Sequence, residues 1–248
     1  TLANSGGALT FSTGTLNADM SVTISGAITI SGNTTFDIAS GKTITYSAAS
    51  ISVGANVLTI QNGTFNNTNA INLETATSKI TITGATVNKV SKITTDATST
   101  SILVSTASTI TTFTHGFDSI IDLGANLTIT DSFNVGALTL TLTGTGQLTG
   151  GIITLDQSNS ILKRTDAGII ANALTFAGSG ATLNIDAATT CSGAFTMSNN
   201  AIFDIANGIT LTKTGSGIAC GEKNLQFIGA DGGTLANSGG PLTFSTGT

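Results

Sequence analysis

In the stretch ALTLTLTGTGQLTG from Ala137, apolar residues and threonines alternate one by one, so that Leu138, Leu140 and Leu142 share one face and the hydroxyls the other. A period of two marks a strand with one buried face. The same alternation recurs in SVTISGAITIS from Ser21, GKTITYS from Gly41 and KITITG from Lys79. Between such runs stand Ser31-Gly32-Asn33, Gln61-Asn62-Gly63 and Ala206-Asn207-Gly208, residue types suited to tight corners. No window carries a convincing helical period, and 30 Gly together with abundant Thr oppose helix. The pattern predicts many short strands, each with a single apolar face.

Two repeats order these strands. The opening TLANSGGALTFSTGT returns as TLANSGGPLTFSTGT from Thr234, identical at 14 of 15 positions at an offset of 233, with only Ala8 and Pro241 differing. So close a match reads as tandem duplication. Residues 1–233 are then one unit and 234–248 the start of the next, with Thr1, Ala8, Thr234 and Pro241 marking the junction, and an LNADM-like segment is expected after residue 248. A more diverged repeat lies inside: SGAITISGNTTFDIASGKTIT from Ser25 aligns without a gap on SGAFTMSNNAIFDIANGITLT from Ser192, identical at 13 of 21 positions.

Short strands with one apolar face close as a sandwich, a barrel or a solenoid. A sandwich of about 100 residues would repeat near that length. Here the weaker internal steps are on the order of 20 residues, the range of a solenoid coil. The expected fold is all-β, a parallel β-helix (β-solenoid), right-handed, with roughly 18–25 residues per coil, irregular corners and no end caps. The duplicated unit would hold roughly 11 or 12 coils stacked ~4.8 Å apart. Proline cannot donate to a ladder, so Pro241, and Ala8 by equivalence, are expected at a corner just before Leu-Thr-Phe.

Stretches such as IDLGANLTITDSFNVGALTLTLTGTGQLTGG and GANVLTIQNGTFNNTNAI resemble bacterial secreted and surface β-helix proteins, such as autotransporter passengers and filamentous haemagglutinin-like adhesins. The resemblance covers most of the chain and rests on texture. It implies export, an extracellular rod and a role in adhesion or matrix.

Composition narrows the function further. Charged residues are 8% of the chain, the net charge is −5 and the pI is near 4.5. Nucleic acid is not an expected partner, because phosphate binding needs clustered Lys and Arg, and Lys163-Arg164 is the only adjacent basic pair. No apolar run approaches a membrane helix. With no initiator Met and no signal peptide before Thr1, the chain reads as a mature segment or an excerpt.

Candidate chemistry is thin. His115 in TTFTHGFDS is read as a corner or surface residue, since one His makes neither a triad nor a metal cluster. Asp37 and Asp204 recur in the FDIA step and are read as corner residues capping backbone N–H groups. Cys191 and Cys220 align on the apolar Ile24 and Val53, which predicts buried thiols, with a disulfide between neighbouring coils as the alternative. No catalytic residue, cofactor or metal ligand is assigned.

The expected function is therefore a structural segment of an extracellular β-solenoid fibre at the cell surface, serving adhesion, cell–cell contact or a matrix. Its partners would be copies of itself end to end, covalent or stacked, and other cell surfaces or glycans. One alternative is ice binding through TxT rows such as Thr43-Ile44-Thr45, Thr81-Ile82-Thr83 and Thr210-Leu211-Thr212. Their irregular spacing argues against a flat array. The other is a polysaccharide-processing enzyme, disfavoured by the absence of Trp and by Arg164 being the only Arg.

Overall fold

The fold is known from a computed structural model that describes residues 8–92, 101–229 and 232–245. The chain is an all-β parallel β-solenoid of about 11 turns, with no helix among the described residues. It divides into two compact units, Thr1–Thr130 and Asp131–Thr248. This division falls elsewhere than the duplication boundary, since compactness follows contacts and not ancestry.

In the first unit, strand Gly14–Ala18 pairs in parallel with strand Thr34–Tyr46, and that with strand Val57–Asn67, which pairs in turn with strand Lys79–Thr83. One inward column of this ladder reads Leu16, Phe36, Ile60, Ile82, and Phe36, Ile60 and Ile82 are fully buried. A second inward column reads Val22, Ile44, Phe65, Val87, Ile110, Ile129. Phe36 and Phe65 lie 5.4 Å apart, and each fully buried ring contributes on the order of 2–3 kcal/mol. The sequence interval between register partners varies from coil to coil: Leu9 pairs with Ile28, whereas Thr34 pairs with the more distant Leu58.

Corners absorb that variation. Strand Thr34–Tyr46 turns at Gly41, whose φ of +72° suits glycine, and its register shifts between Ile38 and Thr43. An inward Asn67 is held by its neighbours: its amide donates to the Asn69 and Lys89 carbonyls at 2.8 and 2.9 Å, and its oxygen accepts from the Asn88 and Lys89 N–H groups. Full satisfaction is what permits a buried amide.

The second unit repeats the plan. Strands Phe133–Asn134, Ile153–Leu155, Leu174–Phe176, Phe195–Met197, Ile218–Gly221 and Leu242–Phe244 form a six-stranded parallel sheet. Strands Thr139–Thr143, Ile161–Arg164, Ala181–Ile185, Ala201–Ile205 and Leu225–Ile228 make another face, with Leu140, Leu162, Leu183, Phe203 and Phe227 in one column. The internal repeat matches in position: Ile28–Ile30 corresponds to Phe195–Met197, strand Thr34–Tyr46 corresponds to the pair Ala201–Ile205 and Thr210–Lys213, and Phe36 and Phe203 are both fully buried.

Candidate functional site

Three places in the fold carry more than packing: an outward face of the first unit, a polar interior cluster of the second, and the two copies of the Leu-Thr-Phe strand.

On the first unit, one outward column reads Thr43, Thr64, Thr86, Thr109, Thr128 in successive registers. Ser21 extends it, its hydroxyl accepting from the Thr43 N–H at 3.1 Å. Two residues further along each coil stand Thr23, Thr45, Asn66, Asn88, Thr111 and Thr130, with Thr23, Thr45 and Asn66 in register and the Asn88 amide donating to the Asn66 oxygen. The residue between each pair, Val22, Ile44, Phe65, Val87, Ile110 or Ile129, belongs to the inward column. Irregular TxT spacing therefore does not preclude aligned rows. The steps from Ser21 through Thr43, Thr64, Thr86 and Thr109 to Thr128 are unequal in sequence because corners vary in length, yet hydrogen bonding aligns the rungs. Of the other two TxT steps, Thr81 stacks on Thr59 on a different face, and Thr212 lies in the second unit beside Thr190 and Ala236.

The second unit buries Arg164 and Lys213, both fully. The Arg164 guanidinium donates through Nη2 to the carbonyls of Gly144, Gly146 and Ala167 at 2.5, 3.2 and 3.3 Å, and through Nη1 to that of Thr143 at 3.4 Å. Gly168 makes room for it, since a Cβ there would overlap Nη2. Lys213 donates to the carbonyls of Thr214 and Ser216, the latter at 2.8 Å, and its ammonium sits 5.1 Å from the Phe195 ring centre. Each cation thus ties corner carbonyls that the ladders leave over. Burial lowers the pKa of both; for Arg164 the attraction of Asp166 and then Cys191 opposes it, and for Lys213 that of Cys191.

Cys191 is in register with Ile170 on one side and Lys213 on the other. Burial pushes its thiol up to about 12, against the pull of Lys213 and then Arg164, so it is a protonated packing group at neutral pH. Cys220 is also buried, in strand Ile218–Gly221 of another sheet, and both thiols are free.

Sequence reasoning missed Arg164 and Lys213 as interior residues, although the alternation contained the signal: Leu162 and Arg164, like Leu211 and Lys213, are two apart on one face. Two further readings are corrected. His115 is buried at 7% exposure at the end of strand Ser108–His115, 6.0 Å from the Phe113 ring, because alternation carries it inward. Asp37 and Asp204 stand on the outward sides of their strands and not at corners, accepting from the amides of Asn62 at 2.8 Å and Asn184 at 2.6 Å. Backbone N–H groups are capped by other carboxylates, among them Asp156, on Gly136, and Asp166, on Gly144.

At the duplicated stretch, Ala8 and Pro241 are exposed and each directly precedes a strand, Leu9–Phe11 and Leu242–Phe244. The Pro241 carbonyl accepts from the Ile218 N–H at 3.1 Å, while the ring, which cannot donate, stands just before the paired residues Leu242–Phe244. Thr234 opens strand Thr234–Asn237 in register with Thr210, while Thr1 lies outside the described residues. Phe227, Ile228, Leu242 and Phe244 are all more than a third exposed, although Phe227 and Leu242 continue columns in which Phe203 and Ile218 are fully buried.

Among the described residues no group of three or more His, Cys, Asp or Glu stands together in a form that could hold a metal ion. No family model, no curated protein and no solved structure matches this chain.

Proposed function

We propose that this chain is a structural segment of an extracellular β-solenoid fibre, in which successive homologous units continue one coil stack at the cell surface and serve adhesion, cell–cell contact or a matrix. The observation that carries the reading is the duplicated Leu-Thr-Phe strand. Leu9–Phe11 stacks on the following coil, with Leu9 on Ile28 and Phe11 on Ile30, whereas Leu242–Phe244 stacks on the preceding one, with Leu242 on Ile218. A second unit continuing after Leu242–Phe244 would set its own Ile28 and Ile30 over Leu242 and Phe244. That removes two exposed apolar side chains from water. The near identity around the strand is then the sequence a continued stack requires at equivalent stations.

In this reading the partners are further copies of the unit, end to end, with other cell surfaces or glycans meeting the sides. Secretion follows from the role and is part of the proposal. Electron microscopy of native material tests it. Filaments with an axial repeat equal to the length of one duplicated unit are expected, and a native product consisting only of discrete single-unit particles overturns the reading.

A further inference from the structure

The two-column face of the first unit has no part in end-to-end stacking. It comprises twelve outward positions on six successive coils: Ser21 and Thr23, Thr43 and Thr45, Thr64 and Asn66, Thr86 and Asn88, Thr109 and Thr111, Thr128 and Thr130. We propose that this face binds ice, holding a layer of ordered water on its hydroxyl columns.

Geometry supplies the first argument. Coils stack ~4.8 Å apart and side chains two residues apart on a parallel strand are separated by ~6.6 Å, so the face is a two-dimensional lattice of hydroxyls. Both spacings are of the order of the oxygen repeats on ice surfaces. Threonine is stiff about χ1, so little rotamer freedom remains to be lost when the layer orders.

The second argument is independent of spacing. None of the nine Thr hydroxyls on this face makes a hydrogen bond to another protein group, among the described residues. Elsewhere Thr34, Thr182 and Thr189 turn their hydroxyls back onto carbonyls two residues earlier, at 3.0, 3.2 and 2.8 Å. The face therefore keeps its donors and acceptors directed at solvent. No charged residue interrupts it, so no ion imposes a competing hydration shell.

Strand propensity alone would put Thr on any outward face. Thr does line other columns, such as Thr15, Thr35, Thr59 and Thr81, but there the column two residues on reads Asn17, Asp37, Gln61 and Thr83, and the column of the second unit that aligns with Thr45 through the internal repeat reads Gln147, Ile169, Thr190, Thr212, Ala236. Nor does the face suit a sugar polymer, because its outward positions hold no aromatic ring and no acid or base.

The test uses the full chain and stands apart from the fibre reading, since single units suffice for it. Thermal hysteresis, the shape of growing ice crystals and partition into a slowly frozen ice front are measured for the wild type, Thr86→Lys/Thr109→Lys, Thr86→Tyr and Thr190→Lys, with circular dichroism confirming the fold. Wild type and Thr190→Lys are expected to shape crystals and enrich in ice, while the two variants at the centre of the face lose most of the effect. Should the lysine pair prevent folding, the single tyrosine decides. Crystals that grow in wild-type protein as they do in buffer overturn the proposal. So does a folded Thr86→Tyr variant with undiminished activity.

Discussion

The two units share one backbone plan and differ in how they use its two sides. The first keeps hydroxyls outside in aligned columns over an apolar inward column from Val22 to Ile129, and its buried polar residues include Asn67 and His115. The second carries mixed residues on the aligned outer column and takes a guanidinium, an ammonium and a thiol inside, at Arg164, Lys213 and Cys191. In a solenoid the ladder alone holds the backbone, so each inward position can change character if its own polar groups find partners. What the contrast teaches is that the interior columns tolerate a buried cation wherever corner carbonyls are in reach, and that outward columns are free to be selected for what they face.

The largest expected effect falls on the interior of the second unit. Gly168→Ala drives a methyl group into the Arg164 guanidinium and parts a buried cation from its carbonyls, with an expected loss of about 3–5 kcal/mol. Urea unfolding of the full chain measures it. A variant within about 1 kcal/mol of wild type, the size of an ordinary surface change, would show that Arg164 has another place to go.

Next comes the alkaline limb of stability. The folded Cys191 thiol is raised from an ordinary value of 9.0 to about 12, so above pH 9 the unfolded chain loses a proton that the native one keeps. The stability this thiol contributes is complete below pH 9 and is lost as pH rises toward 12, by up to ~1.4 kcal/mol per pH unit. Lys213, lowered by burial, acts in the opposite sense, because its native form gives up a proton first. Cys191→Ala should flatten or reverse the decline between pH 9 and pH 12, read from urea midpoints at several pH values. An unchanged slope would place the titration elsewhere.

A smaller effect tests whether the units agree where their sequences do. Asp37→Ala and Asp204→Ala each remove one side-chain hydrogen bond to an amide on a neighbouring coil, and each should cost about 1 kcal/mol. Clearly unequal costs would mean that the internal repeat preserves the residue and not its role. Smallest of all, Thr86→Val keeps the shape of a half-exposed side chain and should shift stability by no more than ~0.5 kcal/mol. A large destabilisation would make the threonine columns structural.

Much of this was legible in sequence. Alternation placed Leu140 and Leu142 inside, and the gapless internal repeat put Cys191 and Cys220 at buried positions because Ile24 and Val53 are buried. The same alternation, applied without regard to residue type, would also have turned Arg164, Lys213 and His115 inward. The expectation of a corner or surface place for His115 lets polarity override period, whereas a nearby carbonyl or ring makes burial of a polar group tolerable. Asp37 and Asp204 lie within strands because FDI alternates as a strand does, whatever the preference of an acid for corners.

By itself, then, the sequence determined the strand period, the all-β class, the short coil length and the kinship of the two Leu-Thr-Phe strands, since these depend on residues near one another or on plain identity. Only the tertiary structure decided which residues meet across coils. Corners of unequal length change the sequence interval from one coil to the next while the backbone ladder restores a common register, so the column from Ser21 to Thr128 is regular in space and only approximately so in the chain, where its steps run from 19 to 23 residues.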